Sequence, residues 1–123
     1  MTVALMIFAG SVGALARYEV STAVQARTHG RRPWGTAVVN LSGAFALGLF
    51  AAWLGDDVGE QWVVALGFGF FGGYTTFSTW MVESLYLAHE GRPALPALVA
   101  NVAGVLAAGL LGLIAGLALG GRW

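Results

Sequence analysis

Gly72, Gly73, Tyr74, Thr75, Thr76, Phe77, Ser78, Thr79 and Trp80 run consecutively near the middle of an apolar stretch from Trp62 to Ala88. A glycine pair weakens a helix, and clustered hydroxyls are out of place in hydrocarbon unless something polar needs them. At membrane depth a loosened backbone persists only where protein or a water-filled cavity satisfies its polar groups. Transport proteins place ion sites at such interruptions, because carbonyls released from the helical ladder can coordinate a cation. The sequence therefore predicts a discontinuous membrane helix built around an ion, interrupted between about Gly72 and Phe77.

Other polar residues fall inside apolar runs. Arg17 and Glu19 lie toward the end of the first run. Arg17 has two readings: it snorkels toward the connection that follows, or it places a positive charge at the mouth of an anion path. Asn40 lies well inside the second run and shares a helical face with Thr36 and Gly43. Its amide either pairs with another helix or donates an N–H to a permeating anion. Glu83 follows the interruption on the face of Thr76 and Thr79, and an intramembrane carboxylate is a functional candidate by default. It either fixes helix packing through neighbouring hydroxyls or serves the path, where it must be protonated, paired or offset from an anion. Phe77 and Trp80 are three residues apart. Aromatic rings in membrane helices mostly pack, yet their positive edges can also hold a poorly hydrated anion.

Four apolar runs must position these groups: about Val3–Ala26, Gly35–Leu54, Trp62–Ala88 and Ala94–Leu119. Of 123 residues, 58% are hydrophobic and only 10% charged, well below the share in soluble domains. The expected fold is an all-α membrane protein, a single four-helix transmembrane domain over 1–123. Pro33 and Pro93 precede new helices, where a missing N–H costs little. Ala14-Leu15-Ala16 resembles a signal-peptide cleavage site, but no basic residue precedes the first run and three more spans follow, so it is read as the first helix. The chain has no cysteine, His29 and His89 have no ligand-like spacing, and no basic tract suggests nucleic acid. Neither a nucleophile–base pair nor a phosphate loop is visible, so an enzyme is not expected.

The chain lacks lysine, so arginines set its orientation. Arg27, Arg31, Arg32 and Arg92 lie in connections on one side, and Arg122 alone on the other. That imbalance predicts both termini outside. The acidic second connection (Asp56, Asp57, Glu60) contributes little to this rule.

Taken together, the chain resembles the fluoride channel family (Fluc, or CrcB) over nearly its whole length. The resemblance rests on Gly13-x-x-x-Arg17-Tyr18, on Gly35-Thr36-x-x-x-Asn40-x-x-Gly43, and on Gly72-Gly73-x-Thr75-Thr76-Phe77-Ser78-Thr79 with Glu83. It implies a fluoride-selective channel that exports F⁻ passively across a prokaryotic cell membrane, built as an antiparallel dimer with two pathways along the subunit interface. It also implies a structural Na⁺ at the dimer centre, held by the carbonyls of Gly72 and Thr75 of each subunit. Asn40, Phe77, Ser78 and Thr79 match positions of the fluoride pathway, and Arg17 and Glu83 match the family's membrane-embedded charges.

Two departures stand out. Trp80 occupies a position that is usually Phe, adding an N–H donor and bulk to the path. The fourth run, where the family often supplies Ser or Thr, has Asn101 as its one polar side chain between Val99 and Leu119. With the arginine imbalance, this leaves open a heterodimer with a paralogous subunit beside a homodimer. The alternative function is a small proton-coupled multidrug exporter, also four helices in an antiparallel dimer. It would rely on an acidic residue in the first helix, for which Glu19 is the candidate.

Overall fold

The computed structural model describes residues 1–28, 34–53, 59–91 and 94–120. The first helix, Thr2–Arg27, closes on Thr28, whose amide N–H and hydroxyl both donate to the Val24 carbonyl at 3.0 Å. Arg27 sits in its last turn, where a cation suits the helix dipole. The second helix, Trp34–Trp53, starts with its Gly35 amide donating to Gln25 Oε1 of the first at 3.3 Å. One orphan N–H of a helix start is thereby satisfied. The fourth helix runs from Ala94 to Gly120.

The third helix is composite. Glu60–Val63 is α-helical, Val64–Phe71 is π-helical, and Gly72–Tyr74 returns to α. Thr75 is extended (φ −79°, ψ 156°), and helix resumes over Ser78–His89. Gly91, at φ 71°, takes the left-handed conformation after that second half, with its N–H on the Ala88 carbonyl. Thr2–Arg27, Trp34–Ala52 and Val102–Leu119 are each long and apolar enough to cross a membrane. The third helix is divided and does not qualify by length.

Small residues decide how the helices meet. A Cβ at Gly13 would fall on the Phe70 carbonyl, and one at Gly73 on the Gly10 carbonyl, so the first helix lies directly against the first half of the third. Gly69, against the Met6 carbonyl, and Gly73 lie four residues apart on that face. A four-residue repeat drifts by about 40° per step on an α-helix, and the looser π winding counters that drift. On the other side, Gly112 abuts the Phe45 carbonyl and Gly48 the Gly109 carbonyl, joining the second and fourth helices. Close backbone approach of this kind drives helix association in lipid, where no hydrophobic force separates helix from surroundings.

Among the described residues the buried hydrophobic side chains are only Val39, Ala52, Ala65 and Trp80. Phe8, Leu15, Phe68, Leu95, Leu106 and many like them face outward. A soluble protein could not carry that surface; a multi-pass membrane protein presents it to lipid. Arg31, Arg32, Arg92, Arg122, Asp56, Asp57, His29, Pro33 and Pro93 lie outside the described residues, as does the side chain of Asn101.

The glycine pair does not itself open the helix: Gly72 and Gly73 are helical, and the Thr75 amide still donates to Phe71 O at 2.9 Å. The ladder ends at Thr76. Gly73 serves the contact with the first helix instead, because only a residue without Cβ can lie against the Gly10 carbonyl.

Candidate functional site

At the interruption the fate of each backbone group can be followed, since a buried peptide group without a partner is costly. The Phe71 carbonyl accepts twice from Thr75, from its amide at 2.9 Å and its hydroxyl at 2.8 Å. The Thr76 amide, which in a continuous helix would bond to the Gly72 carbonyl, donates to Asn40 Oδ1 at 2.9 Å. Asn40 Nδ2 returns a bond to the Thr76 carbonyl, also 2.9 Å. The Thr79 amide, the helical partner of the Thr75 carbonyl, goes to the Thr76 hydroxyl at 3.3 Å. That hydroxyl donates in turn to Thr79 Oγ1 at 3.1 Å and lies 3.4 Å from Ser78 Oγ. The carbonyls of Gly72 and Thr75 are thus released from their helical partners by side-chain competition.

Asn40 reaches this point because of its place on the second helix. Thr36, Asn40 and Gly43 form one face, and all three meet the third helix. The Thr36 hydroxyl donates to Glu83 Oε1 at 2.8 Å. Gly43 leaves room for the Thr75 methyl and the Tyr74 ring, which a Cβ there would displace. Two stripes, 36/40/43 and 83/76/75, therefore run antiparallel. Thr36, Asn40 and Thr76 are the buried polar side chains among the described residues. The Asn40 amide orientation follows from chemistry, since flipping it would oppose N–H to N–H and oxygen to oxygen.

Around this clasp the remaining candidates separate. Phe77 is 69% exposed whereas Trp80 is 7% exposed, and their rings meet edge to face at 5.8 Å between centroids, 82° apart in plane. Ser78 and Thr79 are exposed, Gly72 is exposed, and Thr75 is half-buried. Glu83 is half-buried and keeps Oε2 buried without a hydrogen-bond partner. Arg17 is half-buried and joins no described residue by hydrogen bond or ion pair. Glu19 is exposed. The structure thus brings Asn40, Thr75, Thr76, Ser78 and Thr79 together at the interruption, with Phe77 and Trp80 packed on each other beside it. It gives Arg17 no link to them.

Some features escaped the sequence. Glu83 takes its partner from Thr36 across the helix pair, although Thr76 and Thr79 share its own face. Tyr74 stacks on Phe70 at 5.9 Å between centroids, and its hydroxyl meets Ser42 Oγ at 3.0 Å. The matching lengths of the two polar stripes were the available signal for the first; none pointed to the second or to the π segment. Among the described residues no group of three His, Cys, Asp or Glu side chains could hold a metal ion. The oxygens gathered at this place are backbone carbonyls and the hydroxyls of Thr76, Ser78 and Thr79.

Comparison with known proteins agrees with the motifs. The family profile described as "CrcB-like protein, Camphor Resistance (CrcB)" matches residues 4–117. The chain is 41% identical over 123 residues to "Fluoride-specific ion channel FluC 1" of Leifsonia xyli subsp. xyli, covering 98% of this chain and 88% of the relative. It is 39% identical over 117 residues to "Fluoride-specific ion channel FluC 1" of Yersinia pestis, covering 92% and 91%. "Fluoride-specific ion channel FluC 2" of Clostridium acetobutylicum is 36% identical over 107 residues, 87% of each chain. None of these names supports the multidrug exporter.

Proposed function

Because the chain belongs to the CrcB-like family, we propose that it is a fluoride-selective channel that lets F⁻ leave the cell passively. The observation that carries this reading is the third-helix interruption, clasped by Asn40 and flanked by the exposed Phe77, Ser78 and Thr79. Fluoride enters cells as the neutral weak acid HF, dissociates at the higher internal pH and is trapped as the anion. An open, selective path then suffices, since an inside-negative membrane potential drives the anion out.

A small, strongly hydrated anion gives up water only where donors replace it. Asn40 has committed one Nδ2–H to Thr76 and retains the other. The Ser78 and Thr79 hydroxyls are exposed, and the exposed Phe77 ring can offer its positive edge. Trp80, packed edge to face with Phe77, fixes that ring's orientation and carries an indole N–H. Glu83 is half-buried, with Oε1 held by the Thr36 hydroxyl, which draws it toward the second helix. Arg17 would supply positive potential toward one end of the route.

The released carbonyls of Gly72 and Thr75 suit a hard monovalent cation, and they are the donors we assign to a structural Na⁺ shared between two antiparallel subunits. If bound by those carbonyls, a Na⁺ would supply fixed positive charge near the interruption. The arginine imbalance of four against one favours termini outside the cell membrane. The subunit partner is a second copy or a paralogue; relatives numbered FluC 1 and FluC 2 are in keeping with paralogous pairs.

Fluoride efflux from liposomes containing the purified chain, alone and with a co-expressed paralogue, tests the function. The expected result is F⁻ release with chloride and an ethidium-like cation retained. Efflux of the organic cation coupled to protons, or no fluoride release in either format, refutes it.

A further inference from the structure

We infer that Asn40 is a positioning residue that pre-forms the cation site by taking the Thr76 amide away from the Gly72 carbonyl. The inference rests on the Na⁺ reading above and adds how the site comes to exist. In an uninterrupted helix the Thr76 N–H has one natural acceptor, Gly72 O, four residues back. Asn40 Oδ1 competes for that N–H and holds it at 2.9 Å. The returned bond from Nδ2 to the Thr76 carbonyl makes the clasp two-pronged, so rotating the side chain away costs both bonds. Both residues are buried, at 6% and 9% exposure, which leaves little access for water to take over either bond.

The clasp is anchored remotely. Asn40 sits 36 residues before Thr76, on a helix without interruption, and the same face is fixed on either side. Thr36 bonds to Glu83 on one side, and Gly43 packs against Thr75 and Tyr74 on the other. The second helix therefore imposes the interruption whether or not a cation is bound. The competing view is that the cation itself opens the helix and Asn40 follows.

The test uses the purified channel in detergent, with Na⁺ titrated against N-methylglucamine and the thermal unfolding midpoint as readout. Asn40→Leu keeps similar bulk but offers neither bond. It should raise the Na⁺ concentration for half-maximal stabilisation by about tenfold, whereas Thr36→Val, which removes a neighbouring bond on the same face, should lower the midpoint but move the half-point by less than about twofold. In the unmodified protein, hydrogen exchange at the Thr76 amide should be equally slow with and without Na⁺.

An unshifted half-point in Asn40→Leu overturns the inference, as does Thr76 exchange that accelerates to loop-like rates once Na⁺ is removed. Should Asn40→Leu not accumulate as folded protein, Asn40→Ser and the exchange measurement on the unmodified protein decide it. A wild-type channel indifferent to Na⁺ would overturn the cation reading and this inference together. A Na⁺ response that the Asn40 variants leave unshifted overturns this inference alone.

Discussion

Replacing Gly73 with alanine should damage the protein far more than the same change at Gly67, although both glycines lie in the first half of the third helix. A Cβ built at Gly73 overlaps the carbonyl of Gly10 and crowds its Cα, all of it backbone that cannot rotate aside. A Cβ at Gly67 meets nothing within 4 Å. Overpacking of this kind costs about 1–3 kcal/mol, roughly a 5- to 150-fold loss in the folding equilibrium. At Gly67 the change should be neutral or stabilising by up to about 1 kcal/mol, the helix-propensity difference between glycine and alanine. The penalty at Gly73 also has a functional route, because separating the first and third helices there moves the backbone just ahead of Thr75 and Thr76. Unfolding in mixed micelles, followed by tryptophan fluorescence as denaturing detergent rises, gives the stability difference, and liposome efflux gives the functional one. If Gly73→Ala proves as stable and as active as Gly67→Ala, the direct contact of the first and third helices is not what this glycine is for.

Asn40→Asp keeps an acceptor for the Thr76 amide but sets a carboxylate against the Thr76 carbonyl, so F⁻ efflux should be abolished while assembly, read by size-exclusion chromatography, persists; undiminished efflux would remove Asn40 from the path. Thr36→Val takes the hydrogen bond from Glu83 Oε1, beside an Oε2 that has none, and should cost about 1–3 kcal/mol in the same micelle unfolding. A loss below a few tenths of a kcal/mol would mean water reaches Glu83 freely. Phe77→Leu removes the exposed ring edge and should slow fluoride efflux without lowering stability, since Phe77 is 69% exposed in the protomer. Reporter fusions should find the C-terminus outside, and comparable amounts on both faces would establish dual topology instead.

Local pattern was enough for much of this protein. Run lengths near 20 residues predict four membrane helices, and their ends fall within a few residues of the observed bounds. The motif from Gly72 to Thr79, whose residue types are improbable in lipid without a polar purpose, marks the third helix as the place of an ion site and carries the resemblance to the family. The face shared by Thr36, Asn40 and Gly43 was likewise readable, since helical spacing alone places them together. What each of them would touch was not.

Partner choice depends on how two helices are rotated and shifted against one another, and that is settled by contacts between residues far apart in the chain. Asn40 could have faced a permeating anion, lipid or another helix; packing at Gly43, with the Thr36–Glu83 bond, sets it against the Thr76 backbone. The glycine pair read as a weak point in the ladder, yet Gly73 is there for the Gly10 carbonyl, and the ladder gives way one turn later because a side chain from another helix outcompetes the Gly72 carbonyl. Phe77 and Trp80, equivalent aromatics by sequence, part company for the same reason, one exposed and one buried. Run lengths and residue types suffice for a bundle of membrane helices with a polar fault in the third. Where the fault opens depends on packing, because Asn40 of the second helix competes with the Gly72 carbonyl for the Thr76 amide, and the Thr76 hydroxyl then takes the Thr79 amide.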